Sequence, residues 1–84
     1  MTLTKELQSF IKNDLLGDPN APEIDENEPL FEKGILDSMG LMQLISFIEE
    51  RTMLRVPDDE VTRENFETVA SIERLVNRLK GQGA

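Results

Sequence analysis

The apolar residues near the start of the chain recur at the spacing of one helical face. Leu3, Leu7, Phe10 and Ile11 follow each other at intervals of four, three and one, which predicts an amphipathic helix to about Leu16. Thr2 or Thr4 is suited to cap its start, and Gly17 is suited to end it. We interpret this element as a core-facing helix with no further role.

Two later segments show the same periodicity. The second predicted helix runs from Ser38 to about Thr52, and the last follows Thr68 as its cap. On the second helix Met39, Met42 and Phe47 lie off the core stripe, so this helix is apolar over more than one face. The predicted core positions are Leu41, Leu44, Ile45 and Ile48 on the second helix and Val69, Ile72, Leu75, Val76 and Leu79 on the last.

Residues 17 to 37 form a long predicted loop that carries its own apolar anchors. Ile24, Leu30 and Phe31 can enter the core, and a short helical turn is expected near 29–33, before Gly34. After Pro57, Thr62 can cap a short helix at 63–66, and Leu54 and Val56 are expected to point inward.

Strand patterns are absent from the sequence. The predicted fold is therefore all-α: a small four-helix bundle of three main helices and one short helix, with a long first loop. We expect a single domain over 1–84, with a core at about 3–80 and a frayed tail at 81–84.

The charge balance and the missing residue types exclude several functions. The chain has 17 acidic and 9 basic side chains and a net charge of -8, which argues against nucleic acid or an anionic membrane as a partner and favours a basic protein surface. It has no cysteine and no histidine, so disulfides, thiolate metal sites and the commonest general base are excluded. The acidic loop lacks calcium-loop spacing, and no metal is expected. No signal peptide or apolar span is visible, so the cytoplasm is the expected location.

Ser38, at the start of the second helix, admits three interpretations. It can be a helix N-cap, which is the commonest use of a serine there. It can be a nucleophile, but no histidine is present to activate it, and no lysine has a sequence context that suggests a shifted base. It can be a residue that another enzyme modifies, because a helix start is exposed and favours an attached phosphate.

The segment GILDSM, with Asp37-Ser38 opening the second helix, resembles the phosphopantetheine attachment motif of the acyl carrier protein superfamily. The similarity extends over nearly the whole chain: the first helix, the loop with Leu30-Phe31, Gly34, Pro57, and the segment from Phe66 to Ile72. It implies that a magnesium-dependent phosphopantetheinyl transferase moves 4′-phosphopantetheine from coenzyme A to Ser38 and recognises Asp37. The arm would hold cargo as a thioester, and the protein itself would not be an enzyme.

The resemblance also implies that partners read the second helix, at Met39, Met42, Gln43, Glu49 and Glu50. Fatty-acid carriers usually show acids soon after the serine, whereas this chain has Gly40 and Gln43 there. Peptidyl and aminoacyl carriers are more similar, and NFETVASIERLV is typical of carriers that serve adenylating enzymes.

We therefore expect a discrete, monomeric carrier in a dedicated pathway. Its expected partners are an adenylating or other acyl-loading enzyme and downstream condensing or transferase enzymes. Fatty-acid or polyketide cargo stays open as an alternative. A second alternative is a non-catalytic helical adaptor in which Ser38 only caps a helix and the apolar face of the second helix binds a partner.

Overall fold

The computed structural model describes residues 3–82, without the side chain of Gln82, and within this range the protein is all-helical. Helix α1 (Leu3–Phe10) continues as a π-helical turn at Ile11–Leu15. Helix α2 spans Ser38–Thr52, α3 spans Arg63–Phe66 and α4 spans Val69–Gln82, and a 3-10 turn at Asp58–Glu60 precedes α3. The predicted bundle of three main helices and one short helix with a long first loop is confirmed.

The core forms where one face of each helix meets the others. Burial of apolar area drives this packing, and each buried aliphatic side chain contributes about 1.5–3 kcal/mol. All five predicted positions of α4 are buried, whereas on α2 Leu41 is only partly buried. The buried apolar residues are Leu7, Ile11, Ile24, Leu30, Leu36, Leu44, Ile45, Ile48, Val56, Phe66, Val69, Ile72, Leu75, Val76 and Leu79.

The long first loop is held in place by both apolar anchors and hydrogen bonds. Ile24 and Leu30 are buried, as predicted, and Phe31 is partly buried. The Leu30 N–H donates to the Glu67 carbonyl at 2.8 Å, and the Ala70 N–H at the start of α4 donates to the Glu26 carbonyl at 2.9 Å. Such bonds satisfy backbone groups that a buried loop would otherwise leave unpaired. The loop thus fixes the position at which α2 begins.

The predicted turn before α2 is present as a single turn. The Lys33 N–H donates to the Pro29 carbonyl at 3.1 Å, which is one helical hydrogen bond, and Gly34 follows with φ +70°. A positive φ favours glycine because no Cβ clashes with the backbone there. The predicted caps of the later helices are also confirmed: Thr62 Oγ1 accepts from the Asn65 N–H at 3.2 Å, and Thr68 Oγ1 accepts from the Ser71 N–H at 3.0 Å.

The two ends of the chain differ from the prediction. Thr4 lies inside α1 and does not cap it, while Thr2 lies outside the described residues. Gly17, with φ +68°, ends the first helical segment as predicted. Helix α4 continues through Gly81 to Gln82, so the frayed tail predicted at 81–84 is wrong for its first two residues.

Candidate functional site at the start of helix α2

Asp37, not Ser38, caps helix α2. Asp37 has an extended backbone at φ -123° and ψ -173°, and its Oδ1 accepts the Gly40 N–H at 2.7 Å. This is the standard N-cap bond to one of the amides that the first helical turn leaves without a partner. Ser38 is the first residue of the helix itself. The interpretation of Ser38 as an N-cap is therefore wrong, because the aspartate before it makes the capping bond.

The Ser38 side chain is exposed and has no hydrogen-bond partner among the residues that the structure describes. Within the part of the chain that the structure describes, no hydrogen bond of its hydroxyl is found, and the residue lies in solvent at the head of the helix. With Asp37 supplying the cap, nothing in the fold requires a hydroxyl at this position. The hydroxyl is therefore accessible to an external reagent.

Gly40 allows the first turn of α2 to pack closely against its surroundings. It is buried, and a Cβ at this position would lie 3.2 Å from Asp37 Oδ1, 3.5 Å from Leu36 Cδ1 and 3.7 Å from Leu15 Cδ2. By propensity alone, a glycine inside a helix costs up to about 1 kcal/mol against alanine. The structure shows its use: a Cβ here would crowd the capping oxygen of Asp37, and Leu15 of the π-helical turn and Leu36 of the preceding loop lie against the same turn.

The exposed face that follows Ser38 has no charge over three turns. Met39 is 72% exposed and Met42 is 63% exposed, and Gln43 is exposed beside them. Residues 38–48 contain no charged side chain, although the protein as a whole is strongly acidic. Isolated exposed apolar residues are ordinary, but adjacent methionines on one helix face are typical of adaptable binding surfaces.

Of the two predicted acidic contacts, Glu50 is exposed and Glu49 is engaged in the fold. Glu49 Oε2 accepts the Val56 N–H at 2.8 Å and lies 4.0 Å from Arg55 Nε. This carboxylate holds the chain that leaves α2, so its exposed fraction is reduced. The structure thus groups Met39, Met42, Gln43 and Glu50 on the open side of the helix and gives Glu49 a structural role.

The start of α2 fits a group attached through a phosphate. Its N-terminal amides and helix dipole favour a negative charge, and the exposed hydroxyl points a linked chain into solvent. Asp37 opposes that charge, but its Oδ1 is already engaged by the Gly40 amide. The surroundings therefore suit a flexible, covalently tethered group and not a cofactor enclosed by protein.

Residues 3–82 contain no cluster of three or more side chains suited to hold a metal ion. Within the same range no helix is both long enough and apolar enough to cross a bilayer.

Comparison with known proteins finds a matching family and similar carrier proteins. Residues 11–79 match the family described as "Phosphopantetheine attachment site". The D-alanyl carrier protein of Lactobacillus acidophilus is 36% identical over 78 residues, which cover 88% of this chain and 96% of that protein. "Probable acyl carrier protein PigG" of a Serratia species is 37% identical over 57 residues, 68% of this chain and 66% of that protein.

Among solved structures, a similar chain is found as well. A chain in a structure described as "Crystal structure of FAD-dependent dehydrogenase" superposes with a TM-score of 0.74 at 41% identity, covering 83% of this chain and 97% of that chain.

The chain belongs to the phosphopantetheine-attachment family, within the acyl carrier protein superfamily. It is a non-catalytic carrier with covalently attached 4′-phosphopantetheine. Carriers of this kind interact with a phosphopantetheinyl transferase and with acyl-loading enzymes.

Proposed function

We propose that Ser38 is the residue that bears the phosphopantetheine arm and that the protein carries an aminoacyl or related acyl group on it as a thioester. The observation that supports this most directly is that two neighbouring residues at the start of α2 have different roles. Asp37 makes the cap, and Ser38 is left exposed and without a hydrogen-bond partner within residues 3–82. A hydroxyl that the fold does not use is free to be esterified without loss of the helix start.

The loading chemistry explains why the chain needs no base of its own. The Ser38 oxygen attacks the phosphorus of coenzyme A that carries the pantetheine, an O–P bond forms, and the pyrophosphate bond breaks. Adenosine 3′,5′-bisphosphate leaves, and the serine proton passes to a base of the transferase. We propose that the transferase reads Asp37 together with the apolar side chain of Met39, which is 72% exposed. When bound, the arm supplies the thiol that forms the thioester.

The similarity to D-alanyl carrier proteins supports an amino acid as cargo. We propose an adenylating enzyme as the loading partner, since adenylation activates a carboxylate for attack by a thiol. The proposed docking face consists of Met39, Met42, Gln43 and Glu50, and condensing or transferase enzymes downstream would use the same face. Because the first turns of α2 have no charge, we propose that partners bind this face through apolar contacts more than through salt bridges. In this proposal the protein is a discrete, single-domain, monomeric carrier of the cytoplasm.

A second candidate function follows from the similarity to a chain in the structure of an FAD-dependent dehydrogenase. The carrier would present its cargo to a flavin enzyme, which would remove two electrons and two protons from the acyl chain and reduce FAD to FADH2. Loss of flavin absorbance on anaerobic mixing with the aminoacyl carrier would support this role. Unchanged absorbance with a competent dehydrogenase that binds the carrier would contradict it.

Intact-mass spectrometry tests the attachment site. The apo protein is incubated with coenzyme A, magnesium and a broad-specificity phosphopantetheinyl transferase. We expect one mass increase equal to phosphopantetheine for the wild type and for Ser46→Ala, an exposed serine of the same helix, and none for Ser38→Ala. Circular dichroism checks that all three proteins are folded. An increase that persists in Ser38→Ala, or none in the folded wild type with several transferases, would overturn the proposal.

A further inference from the structure

The methionines that the structure describes all lie on α2 or at its end, and all are exposed. The sequence has four methionines, of which Met1 lies outside the described residues. Met39 is 72% exposed, Met42 is 63% exposed and Met53, the C-cap of α2, is 87% exposed. None of these three belongs to the core, so a chemical change at their sulfur atoms would leave the core packing intact.

Methionine is the only side chain of this polypeptide that oxidants commonly attack. The sequence has no cysteine, histidine, tryptophan or tyrosine. A hydroperoxide that meets the protein can therefore react with little besides the thioether sulfur atoms, and exposure makes a sulfur accessible to it. Among residues 3–82, oxidation is thus directed to α2 and its C-cap.

Two of the three exposed methionines lie next to Ser38. Met39 follows Ser38 directly, and Met42 is four positions later, so the Cβ atoms of Ser38 and Met42 are neighbours on one helix face at about 5–6 Å. Residues 38–48 have no charged side chain, so this surface is neutral and partly apolar. Met53 is fifteen positions from Ser38, roughly 22 Å along the helix axis, and it serves as a comparison within the same molecule.

We propose that Met39 and Met42 form an oxidation site beside Ser38, at which a hydroperoxide converts the thioethers to sulfoxides and thereby weakens the binding of partners. The inference rests on the proposed function, because it requires that partners cover this face when they act at Ser38. It adds to that function a way in which oxidising conditions lower the loading of the carrier. Methionine sulfoxide reductases would reverse the change.

The chemistry needs only the sulfur atom and the peroxide. A lone pair of the thioether sulfur attacks one peroxide oxygen, an S–O bond forms and the O–O bond breaks. The sulfur is oxidised by two electrons, and the peroxide is reduced by two. The departing hydroxide takes the proton from the new S–OH group, so the products are a sulfoxide and water. No residue of the chain has to act as a base.

A sulfoxide changes what a partner must displace from this face. The S=O oxygen is a polar hydrogen-bond acceptor, and it holds water that the thioether does not. A partner whose surface fits an apolar side chain would have to remove that water without replacing the hydrogen bond, which costs binding free energy. The same change at Met53 should have no such effect, because that residue lies far from the hydroxyl on which the transferase acts.

Loading of the oxidised apo protein tests the site. The full-length apo protein is treated with hydrogen peroxide, the peroxide is removed with catalase, and the mass of each methionine peptide is measured. The apo form is used because the arm would add a thiol that peroxide also oxidises. We expect one added oxygen each at Met39, Met42 and Met53. The rate at which a phosphopantetheinyl transferase loads Ser38 should fall by roughly fivefold or more, the size expected when a polar group without a partner is buried.

Variants locate the effect on the helix. Leucine has a similar volume and no sulfur, so the double variant Met39→Leu, Met42→Leu should load near the wild-type rate both before and after peroxide. The matched variant Met53→Leu removes one reactive sulfur far from Ser38, and its loading should fall as much as that of the wild type. Treatment of the oxidised wild type with methionine sulfoxide reductases A and B, which act on the two sulfoxide epimers, should restore the rate.

Several results would overturn the inference. Oxidation of Met53 without oxidation of Met39 and Met42 would show that these two are not reactive. Equal loading before and after oxidation, with the added oxygens in place, would show that partners tolerate the sulfoxides. An equal loss of rate in the double leucine variant, or loss of the helical circular dichroism signal in the oxidised wild type, would assign the effect to another change. A folded wild type that does not load before oxidation would contradict the attachment proposal and this inference with it, so the two failures are distinguishable.

Discussion

Helices α2 and α4 have nearly the same length, but they differ in how many of their apolar side chains are buried. Helix α4 has 14 residues and buries all five of its large apolar side chains, so its exposed sides are polar. Helix α2 has 15 residues, buries Leu44, Ile45 and Ile48, and leaves Met39 and Met42 exposed at 72% and 63%. Packing in the core accounts for all five large apolar residues of α4, but it does not account for Met39 and Met42 of α2. These two exposed apolar residues are therefore the better guide to function.

The two helices also differ in where their charges lie. Helix α4 has Glu73, Arg74, Arg78 and Lys80 along its length, whereas the charges of α2 are confined to Glu49, Glu50 and Arg51 near its end. The turns of α2 that follow Asp37 and Ser38 have no charge, so a partner can cover them without removing water from ions. The contrast separates a helix that holds the bundle together from one that also serves partners.

The largest expected effect on the free energy of unfolding comes from a core substitution in α4. Leu75→Ala removes a fully buried side chain and should lower the free energy of unfolding by about 2–5 kcal/mol, because it leaves a cavity in the core. Urea denaturation followed by circular dichroism measures this. In the absence of denaturant, the fraction that remains folded should still accept phosphopantetheine at the wild-type rate. If that folded fraction accepted phosphopantetheine more slowly, α4 would also affect loading, and the distinction between a structural helix and a partner-binding helix would be wrong.

Substitutions of Asp37, the cap of α2, should have an intermediate effect on the free energy of unfolding. They should also separate its capping role from its recognition by the transferase. Asp37→Ala removes the bond to the Gly40 amide and should cost about 0.5–2 kcal/mol, as for other caps. Asp37→Asn keeps a capping oxygen, so its unfolding free energy should stay near the wild type while transferase loading falls. Thr68→Ala, which removes the Thr68 cap of α4, is the control and should cost stability alone. Full loading of a folded Asp37→Asn protein would show that the transferase does not read the charge.

The smallest effect on stability should come from the exposed face of α2. Met42→Gln changes a side chain that is 63% exposed, and the free energy of unfolding should move by no more than about 0.5 kcal/mol. The rate of loading by an adenylating or other acyl-loading enzyme should fall, since the partner loses an apolar contact. Asn77→Ala, an exposed position of α4, is the matched surface control. Equal rates for both variants would show that α2 is no more a docking face than α4.

The elements of the fold could be predicted because their signals are local. Helical periodicity located α2 and α4, and threonines before apolar runs located the caps of α3 and α4. For α2, one of the three interpretations of Ser38 made it the cap, and that interpretation is wrong. Aspartate and serine are both good caps, so Asp37-Ser38 leaves the choice open, and only the backbone of Asp37 at ψ -173° decides it.

Contacts between elements could not be read from local patterns. Phe10 fits the core face of α1 by spacing, yet a π-helical turn follows it and its ring stacks on Phe47. The resemblance implies that Glu49 is a partner contact on α2, yet its carboxylate turns to the Val56 amide seven residues later. Each of these contacts joins residues whose proximity depends on how the chain folds back, and no single periodicity encodes that.

The sequence by itself determined the class of fold, the family and the position of the serine at the head of α2, because periodicity, turn residues and a short motif are properties of neighbouring residues. Only the tertiary structure decided that Asp37 makes the cap and Ser38 does not, that Gly40 leaves room for the capping oxygen of Asp37, and that the ring of Phe10 stacks on Phe47. The physical reason is that accessibility and close packing depend on residues brought together from distant parts of the chain, whereas a helix needs only its own neighbours.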